Sequence, residues 1–476
     1  MVLSRPEVSE PSLEARDKAR SLLDAALGTS KVMTDRDACA SFARDESEAE
    51  GRVPDAVVFA TCSDDIVRAL AAAREAEVPV TPRSAGTGRT GGAVPVAGGV
   101  VLVTSQMNQI KEIDRREGLA VVEPGVVLAE LHEAVEREGL FYPPDPNSLG
   151  SCMLGGNVAE NAGGPRAFKY GVTREYVLGV EALLMGGERL RVGRRTRKGV
   201  TGYDVTGLLV GSEGTLAVFG DVTVKLIPKP AEVSTLMVLL PALAGAAELV
   251  AEITARGIVP RCIELFDSAT LALLRDAGNP LDTRADAMLL IEVDGEPSAC
   301  ERDAARIGDA AETVHALEVL VAQDAAQRDR LWGARRQMSR LTRTIAKNKL
   351  SEDVVVPRQA MGELLARVRT TSERTGVRSL TYGHAGDGNL HVNFMWDEPH
   401  ELPKVEQAIR ELFENVVALR GTLSGEHGIG ILKAPYLHLE QSSELIGLQR
   451  ELKRVFDPRG LLNPGKIFPT GGHAAC

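Results

Sequence analysis

Two histidine-containing segments carry the residue types that can bind a metal ion. They are 382–394, which reads YGHAGDGNLHVNF, and 424–430, which reads SGEHGIG. The Gly-Asp-Gly run at 386–388 cannot continue a helix, so His384 and His391 are predicted to flank a tight reversal of the chain. The sequence therefore places two imidazoles close together.

The second segment adds a third metal ligand and a proton acceptor. Glu426 offers a carboxylate, and two imidazoles with one carboxylate leave an open coordination position. That set is typical of a catalytic site for a divalent ion such as Zn²⁺ or Mn²⁺. His427 is left over as a proton acceptor. Residues 390–394 alternate apolar and polar, so Asn393 is predicted to share a strand face with His391.

Length and composition indicate a multidomain protein. The chain has 476 residues, 44% hydrophobic and 25% charged, so two or three domains are expected. The 55 Lys+Arg and 66 Asp+Glu give a net charge of −11, which argues against a nucleic-acid partner. The six cysteines, Cys476 among them, form no CxxC pair, so we expect reduced thiols and no iron–sulfur cluster. No apolar run approaches the ~20 residues of a transmembrane helix, so a cytoplasmic location is expected.

The pattern of helices and strands changes along the chain. Residues 1–52 are predicted to form a helical segment that packs on the domain after it, and residues 53–230 a glycine-rich α/β domain. Strands and helices then alternate in a βαβ order, which predicts a second domain at 231–425, a sheet with helices on one side. Residues 426–476 are predicted to return to the first domain.

The glycine-rich loops indicate a bound phosphate. Gly86, Gly88 and Gly91 match the GxGxxG spacing of a dinucleotide fingerprint. That fingerprint requires a helix to begin at the glycines, whereas here a proline and the strand 100–103 follow. A strand–loop–strand arrangement still presents backbone N–H groups to a pyrophosphate. We therefore keep phosphate binding and reject a Rossmann domain.

A series of motifs carries a family resemblance. In chain order they are PRSAGTG, PDPNS, GGNVAENAGG with KYG, GSEGTL, GHAGDGNLH, GEHGIG and NPGKIF. With these motifs the chain resembles the FAD-linked oxidases of the vanillyl-alcohol oxidase/p-cresol methylhydroxylase superfamily, and among them the D-2-hydroxyacid dehydrogenases. The resemblance implies an α+β fold with a two-subdomain, p-cresol-methylhydroxylase-type FAD-binding domain and a βαβ-repeat, ferredoxin-like cap domain.

The resemblance also implies which residues bind FAD. Relatives that hold FAD covalently carry a histidine where this chain has residues 89–92, so non-covalent FAD is expected. The residues assigned to FAD are Arg83, Ser84, Ala85, Gly86, Thr87, Gly88, Thr90, Gly91, Gly92, Pro144, Asp145, Ser148, Gly155, Gly156, Asn157, Asn161, Gly163, Gly164, Tyr170, Gly171, Glu213, Gly214 and Asn463.

The implied reaction is oxidation of a D-2-hydroxy acid to the 2-oxo acid, with hydride transfer from C2 to flavin N5. A divalent ion would chelate the hydroxyl and carboxylate of the substrate, and His427 would take the hydroxyl proton. Arg335 would bind the substrate carboxylate through two parallel hydrogen bonds, and Asn393 would add a polar contact.

Several alternatives stay open. The substrate could be glycolate, D-lactate or a longer acid, because Lys349 lies near, but out of register with, a lysine of the hydroxyglutarate-type enzymes. One rival is a non-catalytic FAD subunit of an electron-transfer complex, and another is a flavin-dependent transferase of ether-lipid synthesis. The electron acceptor could be an electron-transfer protein, a quinone or an iron–sulfur subunit. A homodimer and attachment to the inner membrane face through a partner are also open.

Overall fold

The computed structural model describes residues 8–468, so Cys476 and the ends of the predicted segments 1–52 and 426–476 lie outside it. The α-helices are α1 (Leu13–Leu27), α2 (Arg36–Ala40), α3 (Ser63–Ala76), α4 (Leu128–Arg137), α5 (Leu154–Glu160), α6 (Ala167–Tyr170), α7 (Val205–Leu209), α8 (Leu243–Ala255), α9 (Ser268–Asp276), α10 (Pro297–Thr313), α11 (Ala325–Thr342), α12 (Met361–Thr375), α13 (Leu402–Ala418), α14 (Leu437–Glu440) and α15 (Ser443–Phe456).

The strands of the described residues form three sheets and a two-stranded pair. They are β1 (Val32–Met33), β2 (Ala56–Phe59), β3 (Val80–Arg83), β4 (Val100–Val103), β5 (Ile110–Asp114), β6 (Leu119–Val122), β7 (Leu140–Phe141), β8 (Val177–Leu183), β9 (Arg189–Gly193), β10 (Val218–Lys225), β11 (Ile227–Pro228), β12 (Glu232–Leu240), β13 (Cys262–Asp267), β14 (Ala287–Gly295), β15 (Glu318–Val321), β16 (Asn348–Val355), β17 (Arg378–His384) and β18 (Asn389–Trp396).

The first sheet is small and mostly parallel. Its order is β1-β2-β4-β3, with β2, β4 and β3 parallel and β1 antiparallel to β2. Residues 84–99, between β3 and β4, contain no helix, which confirms the rejection of a Rossmann domain. Helix α3 begins at Ser63, and the residue before it, Cys62, is extended.

The second sheet is antiparallel and lies next to the first. Its order is β5-β6-β10-β8-β9, and β7 pairs with β11 beside it. Its core contains residues of α4 and α5, such as Leu131 and Val158. Because α5 packs on this core, its glycines at 155 and 156 are presented to the neighbouring loops. The two sheets form the two subdomains that the family resemblance predicts.

The third sheet has helices on both faces. It is antiparallel throughout, with the order β15-β12-β14-β13-β17-β18-β16. Leu236 and Val238 face a core with α8, α10, α12 and α13, whereas Met237 and Leu239 face a core with α9 and α11. The predicted sheet with helices on one side is therefore wrong. Residues 236–240 of β12 form a continuous apolar run, which is typical of a strand buried on both faces.

The C-terminal residues return to the first sheet. Val80 N–H of β3 donates to Leu461 O at 2.8 Å, and Asn463 N–H donates to Val80 O at 2.7 Å. Within residues 8–468, none of the helices combines the length and apolar character needed to cross a bilayer. The boundaries of the four predicted segments stay predictions.

Candidate active site

The two predicted histidines lie on one hairpin. Strands β17 and β18 pair so that His384 faces Asn389 and Tyr382 faces His391. This register puts both imidazoles on the same face of the sheet, with ring centroids 5.2 Å apart and nearly perpendicular. Gly388 has a φ of +80°, and a Cβ there would collide with Val356 O, so the reversal requires glycine.

Glu426 completes the predicted cluster. Its Oε1 lies 3.4 Å from His384 Nε2 and 3.5 Å from His391 Nε2. Both histidines are buried, with at most 4% of either exposed. The structure thus brings together the three residues that the sequence assigns to a metal.

Asp353 holds the loop that carries Glu426, and sequence reasoning missed it. Its Oδ2 accepts the backbone N–H groups of Gly425, Glu426 and His427 at 2.8–2.9 Å and the Ser424 hydroxyl at 3.1 Å. Burial opposes ionisation of Asp353, but the neighbouring His427 and Lys433 side chains and the N–H of Glu426 lower its pKa well below the ordinary value. The available signal was an acidic residue directly before the apolar residues Val354 and Val355 of β16.

A second missed acid orients His384. Glu264 of β13 is fully buried and accepts a hydrogen bond from His384 Nδ1 and another from Arg335 Nε at 2.5 Å. Burial alone would raise the pKa of Glu264, but His384 and Arg335 together lower it to about 2. With Nδ1 occupied, His384 directs Nε2 towards Glu426.

The other two histidines are held neutral. Burial lowers the pKa of His391 well below its ordinary value, and the neighbouring His427 and His384 lower it further. Burial also lowers the pKa of His427, although the Asp353 and Glu426 carboxylates oppose the shift. Neutral imidazoles can bind a metal ion or accept a proton.

Unpartnered polar atoms at this cluster fit a metal ion. Among the described residues, both ring nitrogens of His391, Oε2 of Glu426 and Nδ1 of His427 are buried without a hydrogen-bond partner. Such atoms are costly to bury unless another group binds them. His384, His391 and Glu426 supply ligand atoms within 4.8 Å of one another, so a divalent ion bound there would occupy one ring nitrogen of His391 and an oxygen of Glu426.

A second candidate ligand group shares His391 but fits a metal poorly. Asp353, His391 and His427 also place ligand atoms within 4.8 Å of one another. The oxygens of Asp353 are already occupied, because Oδ1 accepts from Asn389 Nδ2 at 2.5 Å and Oδ2 accepts the loop N–H groups. Of the two groups, the one that contains Glu426 therefore fits a metal ion better.

Arg335 lies beside the cluster and is almost fully buried. With the Asn147 amide oriented so that its oxygen faces the guanidinium, that oxygen accepts from Nη1 at 2.9 Å and from Nη2 at 3.1 Å. The guanidinium also lies 4.9 Å from the centre of the Tyr382 ring. The Glu264 carboxylate raises the pKa of Arg335 even though burial opposes the charge. Asn147 belongs to the PDPNS motif, and sequence reasoning did not select it.

A cleft of about 470 Å³ joins this cluster to the glycine loops. The predicted FAD residues that line it are Arg83, Ser84, Ala85, Gly86, Thr87, Gly88, Gly92, Ser148, Gly155, Gly156, Asn157, Gly163, Glu213 and Gly214. The predicted catalytic and metal residues that line it are Arg335, His427, His391 and Glu426, and Lys349 lines it too. The two halves of the predicted site thus share one cavity.

The cleft wall fits a flat cofactor. Gly88 and Gly156 line the cleft, and a Cβ on either would touch one protein atom at ordinary van der Waals distance, 3.7 Å and 3.9 Å respectively. Side chains there would fill the cleft. Among the described residues, Asn157 Nδ2 and Ser212 Oγ are buried without a hydrogen-bond partner. Exposed backbone and unpaired polar groups suit the phosphates and ring of FAD.

Other predicted residues lie outside the wall and support it. The backbone carbonyl of Pro144 bonds His132 Nε2 at 3.0 Å, and Tyr170 donates its hydroxyl to Asp294. Gly91, Gly164 and Gly171 have positive φ and shape turns. The residues outside the wall are Thr90, Gly91, Pro144, Asp145, Asn161, Gly164, Tyr170, Gly171, Asn463, His384 and Asn393. Contact between FAD and the nine of these residues that were assigned to it stays a prediction.

Asn393 is also remote from the cleft. Its Nδ2 donates to the carbonyl oxygen of His391 at 3.0 Å, and its side chain is fully buried. The shared strand face with His391 is therefore correct, but the amide donors bond backbone carbonyls. A contact between Asn393 and a substrate stays a prediction.

Contacts with the glycine loops fix the 424–430 segment. Thr90 Oγ1 donates to the carbonyl oxygen of His427 at 3.0 Å. Glu213 accepts the N–H groups of Ile429 at 2.8 Å and Gly430 at 2.7 Å, and Asn463 Nδ2 donates to Glu213 O at 2.8 Å. These bonds set the position of Glu426 and His427 relative to the first two sheets.

Two family models match the chain. The model described as FAD binding domain matches residues 54–193, and the model described as FAD linked oxidases, C-terminal domain, matches residues 229–467. The chain is 42% identical over 419 residues to the glycolate oxidase subunit GlcD of Bacillus subtilis (strain 168), covering 87% of this chain and 89% of the relative. It is 36% identical over 413 residues to a D-lactate dehydrogenase of Archaeoglobus fulgidus, covering 86% of this chain and 90% of that relative.

A solved structure shows the same fold. The structure of p-cresol methylhydroxylase with substrate bound superimposes with a TM-score of 0.80 at 17% identity, covering 97% of this chain and 98% of that chain. At this identity the match concerns the fold alone. Together with the two family models and the sequence relatives, it shows that the chain belongs to the FAD-linked oxidase family and has a p-cresol-methylhydroxylase-type fold.

Proposed function

We propose that the protein oxidises a D-2-hydroxy acid, such as glycolate or D-lactate, to the 2-oxo acid. One observation carries the proposal: His391 and Glu426 of a buried His-His-Glu cluster, and the neutral His427, line the same cleft as the glycine loops. Relatives named as a glycolate oxidase subunit and a D-lactate dehydrogenase support this substrate class. Bound FAD would supply the two-electron acceptor.

His384, His391 and Glu426 would hold a divalent ion. With three protein ligands, the ion keeps open positions for the hydroxyl and carboxylate oxygens of the substrate and acts as a Lewis acid. Glu264 supports this arrangement because its hydrogen bond to His384 Nδ1 leaves Nε2 free to bind.

His427 would accept the hydroxyl proton. It is neutral because burial lowers its pKa, its Nδ1 has no partner among the described residues, and it lines the cleft. Arg335 would bind the substrate carboxylate. Its positive charge is secured by Glu264, and its guanidinium lines the same cleft.

The test is anaerobic reduction of the flavin by a panel of D- and L-2-hydroxy acids. We expect bleaching of the flavin band by D-acids and glycolate, with no bleaching by L-acids. A flavin that dithionite reduces but that no hydroxy acid in the panel reduces would refute the proposal. That outcome would favour the non-catalytic FAD subunit, whereas redox-neutral turnover would favour the transferase.

A second candidate substrate is a 2-hydroxy diacid of the hydroxyglutarate type. Lys349 lines the cleft and donates to Thr342 Oγ1 at 3.1 Å. Burial, with Arg89 and Arg343 nearby, lowers the pKa of Lys349 to about 8. A second carboxylate of the substrate would counter that unfavourable burial of charge.

The electron acceptor belongs to the proposal as well. Among the described residues, Cys39, Cys152, Cys262 and Cys300 are buried free thiols, and the scattered cysteines are expected to bind no iron–sulfur cluster. We propose that electrons leave the flavin for an electron-transfer protein, a quinone or an iron–sulfur subunit in the cytoplasm. The name of the Bacillus relative, a subunit, supports a partner protein.

A further inference from the structure

One acidic side chain in the cleft wall has no part in metal binding or proton transfer. Glu160 ends α5 and lines the cleft. Its Oε2 is buried and has no hydrogen-bond partner among the described residues. An ionised carboxylate oxygen buried in this way would lose its hydration with nothing in return. The side chain therefore needs either a donor or a proton of its own.

Two glycines make room for the Glu160 carboxyl group. A built Cβ at Gly92 would lie 2.6 Å from Oε1, and one at Gly428 would collide with Oε2. The carboxyl group is therefore wedged between the first glycine loop and the 424–430 loop. This position is next to the loop that carries Glu426 and His427.

The charges around Glu160 disfavour its ionisation. Burial raises the pKa of Glu160 well above its ordinary value, and the Glu213 and Asp45 carboxylates raise it further. Lys466 opposes the shift, but its ammonium group donates to the carbonyl oxygen of Val94 at 2.8 Å. Glu213 uses both carboxylate oxygens to accept backbone N–H groups, so it offers no donor.

We propose that Glu160 is a neutral carboxylic acid that donates a hydrogen bond to the flavin ring of bound FAD and stabilises the reduced cofactor. The inference rests on the proposed function in one respect, which is the position of the flavin ring beside the 424–430 loop. Reduction by two electrons increases the negative charge on the ring nitrogens and carbonyl oxygens. A donor aimed at that edge binds the reduced ring more strongly than the oxidised ring.

The first test compares the Glu160→Gln and Glu160→Ala proteins. The midpoint potential of their bound FAD is measured with dithionite and a reference dye, in the absence of any hydroxy acid. Glutamine keeps a hydrogen-bond donor, so we expect the midpoint potential of FAD bound to Glu160→Gln to match that of FAD bound to the unmodified protein. Alanine removes the donor, so we expect reduced FAD to bind about tenfold less tightly relative to oxidised FAD, which is a drop of about 30 mV for two electrons.

Two results of this experiment would overturn the proposal. A higher potential in Glu160→Gln would mean that the native side chain is ionised, since removing a negative charge favours reduction. An unchanged potential in Glu160→Ala would mean that Glu160 does not act on the flavin. FAD content and thermal melting of both variants check that the cleft is intact.

A second test detects the proton itself and does not depend on folding of the alanine variant. The reduced-minus-oxidised infrared spectrum should contain a carboxylic acid C=O band that shifts in D₂O and is absent in Glu160→Gln. Its absence from the unmodified protein would refute the proposal. Neither test uses a hydroxy acid, so failure of the substrate panel would overturn the proposed function and leave these outcomes unaffected.

Discussion

Replacing Asp353 with asparagine should release the loop that carries Glu426 and His427. Oδ2 of Asp353 accepts four hydrogen bonds from residues 424–427. A hydrogen bond to a charged acceptor is worth roughly 1 kcal/mol more than one to a neutral acceptor, so Asp353→Asn should weaken the loop by about 4 kcal/mol. An asparagine would also place its NH₂ group against another hydrogen-bond donor. In one orientation of the amide that donor is Asn389 Nδ2, and in the other it is the backbone N–H groups of the loop.

The weaker attachment of the 424–427 loop should appear mainly as a loss of catalytic activity. If the open loop is inactive, about 4 kcal/mol corresponds to a decrease of about 10³-fold in kcat/KM for flavin reduction. Stopped-flow reduction measures kcat/KM, and elemental analysis of the purified protein measures metal content, which should also fall. FAD content should be unchanged, because Asp353 does not line the cleft beside the glycine loops.

The matched control is Glu352→Gln. Glu352 precedes Asp353 on β16, is equally buried, and points to the opposite face of the strand. Burial raises its pKa, so a neutral amide should replace it with little change. The reasoning would be refuted if Asp353→Asn kept its metal and a kcat/KM within tenfold of the unmodified protein, or if Glu352→Gln lost as much activity as Asp353→Asn.

Three further changes have defined outcomes. His384→Ala should retain FAD but lose the metal ion, and its flavin should no longer be reduced by substrate. A chelator should inhibit the unmodified protein reversibly. Loss of FAD from His384→Ala would show that the metal is misassigned. Asp65 is buried, yet Lys31 and Thr61 lower its pKa to about 2, so its contribution of about 2 kcal/mol to the free energy of unfolding is present above pH 3.8 and is lost as the pH falls towards 2. Chemical denaturation at several pH values should show a loss of unfolding free energy that is about 2 kcal/mol larger in the unmodified protein than in Asp65→Asn. Lys349→Met should raise KM at least about tenfold for a hydroxy diacid and leave KM for D-lactate unchanged. In the unmodified protein, the preference for the diacid should decline above pH 8, where Lys349 loses its charge. Equal effects of Lys349→Met on both substrates would exclude a distal carboxylate site.

Local chemistry made much of the site predictable. The Gly-Asp-Gly run favours a tight reversal, so the histidines on either side of it were expected to lie close together. The rejection of a Rossmann domain rested on the same kind of argument, because a proline and a strand follow the glycines. The family resemblance then predicted the FAD-linked oxidase fold, which the comparisons confirm.

Long-range packing decided the parts that sequence reasoning missed. Helices cover both faces of the third sheet because alternate residues of β12 are apolar on both sides, and an apolar run of that kind does not reveal which helix covers which face. Glu264 bonds His384 across 120 residues of sequence, and Asp353 bonds a loop more than 70 residues later. Nothing local to either acid identifies its partner.

The sequence by itself determined the residue types, the turns and the strand periodicity, since these depend on backbone sterics and side-chain alternation over a few residues. Only the tertiary structure decided that Glu426 meets the two histidines, that Arg335 and His391 share a cleft with the glycine loops, and that Glu160 is wedged between two loops. The physical reason is that burial, and the charge states it sets, depend on groups brought together from distant parts of the chain.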